Sequence, residues 1–366
     1  MPDYADLRTD AVWAGDAKAR RRTVSKLIGL RAALSSDDEG APPPRSLSTL
    51  LLGTWNLREF DSSTWGARLP ESYAYIAEIV DRFDLVAIQE VRDDMHALDQ
   101  LRSRLGPHWD YLVSDVTAGR AGNAERLAFL YDRRKVQFLG MAGELVLPPI
   151  QTGKTTKPAA QVARTPLMAA FQVGWTRFVL TTVHILYGEG TAEPAARVEE
   201  IAQVARFLRG RTEQASEPVR NFILLGDFNI FTAGDKTLKA LTEDGGFSIP
   251  EEIMTIPGSN VSKDKKYDQI AYRAREGRFG ATGNAGVFDF YKYVFTVDDE
   301  PVYRPSIQEY VKAQHAAGKK SPKDATTAAA QRQQFGRWRT YQMSDHLPLW
   351  AEFRVDFTDE FLAELV

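Results

Sequence analysis

The stretch Ile223-Leu-Leu-Gly-Asp-Phe-Asn229 constrains what this chain can fold into more than any other. An apolar run of strand length meets a carboxylate and an amide, which delivers Asp227 and Asn229 to the rim of a sheet with little freedom to move. A second polar cluster, Gln342-Met-Ser-Asp-His-Leu-Pro-Leu349, places Asp345 and His346 just before another strand-like run, Leu349–Arg354. Between residues 46 and 354 such runs alternate with helical spacing. Strands are read at Leu50–Asn56, Asp84–Glu90, Tyr111–Ser114, Arg126–Tyr131, Val136–Met141, Leu167–Gly174, Arg177–His184, Asn221–Asp227, Asp268–Tyr272 and Leu349–Arg354. Helices are read at Glu71–Phe83, Met95–Leu105, Glu193–Arg209 and Lys236–Leu241. Hairpin-linked strands mixed with helices predict an α/β sandwich of mixed sheets rather than one parallel sheet.

The main domain is placed over residues 46–366. Residues 1–45 read as a helical extension, with a basic run Lys18-Ala-Arg-Arg-Arg22 and a linker rich in Ser, Asp and Pro. Residues 286–341 read as an insertion. It carries the aromatics Phe288, Phe290, Tyr291, Tyr293 and Phe295, then a polar stretch leading to Phe335-Gly-Arg-Trp-Arg339. These aromatics are open to two readings, a satellite core or a stacking surface for unpaired bases. Lys319, Lys320, Lys323, Arg337 and Arg339 are candidates for phosphate contacts or for a solvated face.

Composition closes some options. The chain has no cysteine, so disulfides and thiolate metal sites are excluded, and any metal must sit on oxygen or imidazole. No apolar run approaches the ~18 residues of a membrane span. The start, Met1-Pro-Asp-Tyr-Ala-Asp-Leu-Arg8, lacks the pattern of a signal peptide, so a cytoplasmic location is expected. A net charge of −3 argues neither for nor against a nucleic-acid partner.

The strand-like segments end on a narrow set of residues: Asn56, Glu90, His184, Asp227 with Asn229, Asp268, and Asp345 with His346. One such residue is ordinarily a turn former or a cap. Recurrence at six strand ends points instead to a shared site. Hard carboxylates, an amide and imidazoles suit hydrolysis of a phosphate ester assisted by a divalent metal.

Eight stretches, in order, resemble the endonuclease/exonuclease/phosphatase superfamily, and within it the deoxyribonuclease I-like nucleases. They are Gly53-Thr-Trp-Asn-Leu, Val86-Ala-Ile-Gln-Glu-Val-Arg-Asp, Glu125-Arg-Leu-Ala-Phe-Leu-Tyr, Arg164-Thr-Pro, Thr182-Val-His, Gly226-Asp-Phe-Asn, Tyr267-Asp-Gln-Ile and Ser344-Asp-His. The resemblance implies a four-layer α-β-β-α sandwich, two mixed sheets flanked by helices. It implies a metal-dependent phosphodiesterase, foremost an endonuclease on DNA. A phosphatase or phosphodiesterase on a small or lipid phosphoester, or a non-catalytic binding protein of the same fold, stays open as an alternative. The implied metal is Mg²⁺ on Glu90, Asn56 and Asp345, with Mn²⁺ as a substitute and a second metal or Ca²⁺ also compatible. His346 with Asp268 would be the base, His184 with Glu125 the acid, and Asp227 with Asn229 would orient nucleophile and phosphate. Arg92, Arg164 and Tyr267 match substrate-contacting positions. One departure is Asn123, which stands where deoxyribonuclease I has a groove-reading Tyr. A broad nuclease inside a cell needs restraint, so residues 1–45, the insertion or a regulatory protein partner are candidates to limit access.

Overall fold

The computed structural model describes the chain except residues 14, 37–39, 61, 118–122, 154, 215, 216, 218, 275–278 and 320–323. The strands are β1 (Thr49–Phe60), β2 (Leu85–Val91), β3 (Trp109–Val113), β4 (Arg126–Asp132), β5 (Gln137–Glu144), β6 (Ile150–Thr152), β7 (Thr155–Lys157), β8 (Leu167–Val173), β9 (Thr176–His184), β10 (Phe222–Asp227), β11 (Asp268–Arg273), β12 (Gly280–Val287) and β13 (Leu349–Arg354). The longer helices are α1 (Ala17–Leu34), α2 (Pro70–Val80), α3 (His96–Leu105), α4 (Ala195–Thr212), α5 (Glu300–Ala316) and α6 (Ala328–Gln342).

Two mixed sheets carry the fold. One runs β12-β13-β1-β2-β4-β3 and the other β11-β10-β9-β8-β5. In the first, β1 and β2 are parallel while β1 and β13 are antiparallel. In the second, β9 and β10 are parallel while β10 and β11 are antiparallel. Strand alternation divides the side chains between three cores. Leu50, Leu52, Ile223 and Leu225 point between the sheets, where they meet Phe129, Phe171, Phe178 and Phe353. Leu51 and Trp55 point outward from the first sheet to α2 and α3. Phe222 and Leu224 point outward from the second to Ile201, Val204 and Leu208 of α4. Burial on both faces is why β10 reads as an unbroken apolar run.

Some strands carry no sequence signal. β12 is Gly-Ala-Thr-Gly-Asn-Ala-Gly-Val, with almost no apolar side of its own. It forms at a sheet edge, held by antiparallel pairing to β13. The short β7, Thr-Thr-Lys, paired with β6, is likewise polar and exposed. β1 runs past Asn56 to Phe60, with Arg58 and Glu59 at φ of 29° and 42°.

Residues 1–45, read as an extension and linker, build into the helical layer over the first sheet. Leu27, Leu30, Ala33 and Leu34 of α1 are buried in the same core as Ala74, Ile76 and Ile79 of α2. Polar bonds reinforce this contact. The Thr23 hydroxyl donates to Glu71 at 2.6 Å, Arg31 pairs with Glu78 at 3.0 Å, and Trp350 Nε1 donates to the Gly40 carbonyl at 2.8 Å.

The aromatics of 286–341 resolve toward the core reading. Phe288, Phe290, Tyr291, Phe295, Tyr303, Phe335 and Trp338 are buried beside α1 and α2 and are closed to an incoming base. Of the basic residues proposed there, Arg339 donates to the Phe295 carbonyl and lies over Tyr291, and Lys320 and Lys323 fall outside the described residues. Among the described residues, no helix is long and apolar enough to cross a membrane.

Candidate active site

Strand register alone assembles half of the site. Parallel pairing sets Asp227 of β10 opposite His184 of β9, and antiparallel pairing sets it opposite Asp268 of β11. Three polar side chains therefore stand in a row at one edge of the second sheet. The first sheet supplies Asn56 and Glu90 from the ends of β1 and β2. The halves meet directly: Asn56 Nδ2 donates to Glu90 Oε1 at 2.8 Å and to Asp227 Oδ2 at 3.1 Å.

Each imidazole is backed by a carboxylate. His346 Nδ1 lies 2.8 Å from Asp268 Oδ2, which also accepts from the Ser259 hydroxyl at 2.6 Å. His184 Nδ1 lies 2.9 Å from Glu125 Oε2. The opposite nitrogens converge, with His346 Nε2 3.7 Å and His184 Nε2 3.6 Å from the same atom, Asp227 Oδ2. Both rings are buried and sit on the rim between the sheets.

The electrostatics follow from that burial. Burial alone would lower the pKa of His346, but Asp268 and Asp227 outweigh it and hold the ring well above the usual imidazole range. His184 is raised in the same way, with Glu125 opposing burial. Burial would raise Glu125, but His184, Arg164 and Asn123 overcome it and hold the carboxyl at about 2. Glu90 goes the other way: burial pushes it up, and Glu125 and Asp345 add to the rise against the pull of His184.

Backbone outliers sit in the site, beside Arg58 and Asn123, at φ 29° and 56°. Glu90 has φ 62° and Asn229 has φ 53°. Strain of this kind persists only when neighbours over-determine it. The Glu59 amide donates to Glu90 Oε2 at 2.6 Å. The Asn229 amide donates to Asp227 Oδ1 at 2.9 Å, and its side chain donates to the Ile185 carbonyl at 2.7 Å.

Among the described residues, two groups could hold a divalent ion. Glu90, Glu125 and His184 bring donor atoms within 4.8 Å of one another, and so do Asp227, Asp268 and His346. Carboxylate-rich sets with one imidazole fit a hard divalent cation, and the raised Glu90 marks a crowd of negative charge that such a cation would neutralise. Asp345 belongs to neither group. Its Oδ2 lies 3.2 Å from Arg58 Nη1.

The substrate-contacting expectations land in three different settings. Arg164 is mostly buried behind Glu125, with its Nε donating to Oε2 at 2.8 Å. Arg92 is half-buried in the turn after β2. Tyr267 stacks beside His346, with ring centroids 5.5 Å apart. Several contributors escaped the sequence reading. Arg58 holds Asp345, Ser259 holds Asp268, and Asn123 donates to Glu125. The Ser344 hydroxyl donates to the Asn56 carbonyl and accepts from the His346 amide at 2.9 Å. Ser344 had a signal as the first residue of Ser-Asp-His, and Asn123 was singled out only as a departure, not as a partner of Glu125. Ser259 lies in an ordinary loop with none.

Comparison with known proteins agrees with this fold. A deoxyribonuclease of Thioalkalivibrio sp. (strain K90mix) is 32% identical over 193 residues, covering 51% of this chain and 48% of the relative. The chain thus spans about half the length of that curated relative. A humanized D. rerio TDP2 superposes over 84% of this chain and 99% of its own, with a TM-score of 0.52 and 14% identity. The human Nocturnin catalytic domain with bound sulfate covers 84% of this chain and 95% of its own, with a TM-score of 0.52 and 12% identity. At these identities the two structures speak for the fold. Residues 53–242, more than half of the sequence, match the Endonuclease/Exonuclease/phosphatase family, and the chain belongs to it.

Proposed function

We propose that this protein is a divalent-metal-dependent nuclease that hydrolyses phosphodiester bonds of DNA. The observation that carries the reading is the convergence of two carboxylate-backed imidazoles on Asp227 Oδ2, at 3.6 and 3.7 Å. A phosphate seated there has one imidazole for the attacking water and another for the leaving oxygen. The 32% identity to a deoxyribonuclease supports DNA as the polymer.

Each residue has a task set by its contacts. Asp268 fixes the tautomer of His346, so that Nε2 of the neutral ring would accept the proton of the attacking water. Glu125, held by Arg164 and Asn123, does the same for His184, whose Nε2 delivers a proton to the leaving oxygen. Asp227 accepts from the water and keeps it in line. Asn229, pinned by its own backbone bond to Asp227, steadies the phosphate side. Glu90 and Asn56 are the residues to hold Mg²⁺, with Asp345 swinging from Arg58 to join them. When bound, the ion supplies Lewis-acid stabilisation of charge on a phosphate oxygen.

The test is a substrate panel with Mg²⁺, Mn²⁺ and Ca²⁺. It covers supercoiled, linear and single-stranded DNA, RNA and phosphoinositides. Nicking of supercoiled DNA that disappears with chelator is the expected result. Intact DNA alongside turnover of another phosphoester would overturn the DNA assignment.

A further inference from the structure

Beside each strand of the second sheet that brings a residue to the proposed site, the adjoining loop carries an aromatic. Tyr187 follows His184, Phe231 follows Asn229, and Tyr267 precedes Asp268. The three rings meet. Centroids lie 6.2 Å apart for Tyr187 and Phe231, 5.6 Å for Phe231 and Tyr267, and 6.4 Å for Tyr187 and Tyr267. Tyr267 continues the row onto the His346 ring.

This cluster differs from the aromatic core of 286–341, which is buried. Tyr187 is 45% exposed, and Phe231 and Tyr267 are half-buried. The cluster is also held rigidly. Arg197 is fully buried, and its guanidinium lies 5.3 Å from the centroids of both Tyr187 and Phe231. That guanidinium donates to the carbonyls of Leu186, Tyr187 and Asn229, which ties the ring-bearing loops to one another. Lys265 Nζ lies over the Phe231 ring, 4.8 Å from its centroid, and pairs with Asp264 at 3.7 Å.

We propose that Tyr187 and Phe231, inclined at 32° to each other, with Tyr267 standing edge-on beside them at 79° and 69°, form a stacking shelf for an unpaired nucleobase next to the scissile phosphate, so that single-stranded or frayed DNA is the favoured form of substrate. The proposal rests on the nuclease reading above and adds the subsite. A paired base in a duplex presents only its edge and cannot lay its face on these rings. An unstacked base can, and every base has such a face. The contact is therefore a preference for strandedness, not for sequence.

The experiment is a cycle between base and shelf. A short single-stranded oligonucleotide is cut by the full-length protein with Mg²⁺. Each base near the main cleavage position is replaced in turn by an abasic tetrahydrofuran. The wild type should lose roughly 5- to 150-fold in kcat/KM at one position, the range expected for one base–aromatic stack. The Tyr187→Ala/Phe231→Ala variant should show that loss on the intact oligonucleotide and no further loss on removing the same base. Tyr187→Leu/Phe231→Leu keeps apolar volume without the π-face and should behave alike, which covers a folding failure of the alanine pair. Duplex cleavage should fall far less in both variants. Equal sensitivity of wild type and variants to base removal overturns the shelf while plasmid nicking still stands. A protein that cuts no DNA of any form overturns the nuclease reading, and the shelf with it.

Discussion

Arg68 offers the sharpest test of how the site is held together. Its guanidinium is buried and donates to four backbone carbonyls: Gln342 and Met343 at 2.9 Å each, Leu57 at 2.6 Å and Arg58 at 2.8 Å. The first pair immediately precedes Ser344-Asp345-His346, and the second immediately follows Asn56. One side chain therefore clips two catalytic segments 285 residues apart in sequence, counting from Leu57 to Gln342 (342 − 57). Hydrogen bonds to a charged donor contribute about 1.5–3 kcal/mol each. Four at the lower bound give about 6 kcal/mol, from which the desolvation of a buried cation removes several. A net loss of about 3–5 kcal/mol is therefore expected for Arg68→Ala, in the range of broken buried polar networks. Catalysis should suffer separately, because a shift of about 1 Å in a positioned group costs on the order of 10²-fold. Urea melts give the first quantity, and plasmid nicking at a temperature where both proteins are folded gives the second. Millimolar methylguanidinium should restore part of the rate by refilling the cavity. A variant within about 1 kcal/mol of wild type that nicks at the same rate would refute the clip.

Other perturbations probe other parts of the site. Alanine at His346 or at His184 should each lower kcat by about 10²–10⁴, read in single-turnover cleavage. Glu90→Gln should raise the Mg²⁺ needed for half-maximal nicking by about tenfold or more, because it removes a charge from the proposed metal set. Glu125 has its folded pKa depressed to about 2, below its ordinary 4.5, so its stabilisation is present above pH 4.5 and is lost as pH falls toward 2. Glu125→Gln in metal-free protein should therefore be less stable than wild type by up to about 3 kcal/mol at pH 6, a gap that closes at pH 2 in denaturant titrations. Deleting residues 1–45 should give unstable or insoluble protein rather than a hyperactive one. Burial of Leu27, Leu30 and Leu34 is worth about 1.5–3 kcal/mol each, against a total stability of about 5–15 kcal/mol. A soluble, faster enzyme would show that this segment restrains the site.

The sequence made most strands that carry the candidate site legible because they are short, largely buried on both faces and end near a polar residue. β10 and β13 need no tertiary information to be found, and the ordered motifs place their neighbours. What stayed hidden depends on partners remote in sequence. β12 is a strand only because β13 lies beside it. α1 looked detachable because its basic face is prominent, while its apolar positions join a core shared with α2 and the aromatics of 286–341, remote in sequence. The aromatics of 286–341 announced themselves by number, yet number does not distinguish a core from a platform. Tyr187, Phe231 and Tyr267 are scattered over eighty positions, 187 to 267, and only strand register makes them neighbours.

The position of Asp227 explains why the two sheets are not independently useful. Its Oδ1 accepts from the Asn229 amide within its own loop. Its Oδ2 takes the Asn56 amide from the other sheet and faces both imidazoles. Any slip between sheets moves Asn56 and Glu90 away from this oxygen while leaving the β9-β10-β11 row intact. The buried bond from Gln89 Nε2 to the Thr182 hydroxyl, at 2.9 Å, crosses the same gap one residue before Glu90 and two before His184. Polar contacts between sheets are costly unless satisfied, and here they occur at the end of the sandwich where the site lies. The greasy middle of the sandwich fixes that the sheets stack; the polar end fixes their register to within a hydrogen bond. Gln89→Leu separates these roles. It retains apolar packing between the sheets and should leave the fold standing, yet it should lower nicking by about an order of magnitude as Asn56 and Asp227 lose their fixed spacing. Equal activity in that variant would mean that apolar packing alone sets the register of the site.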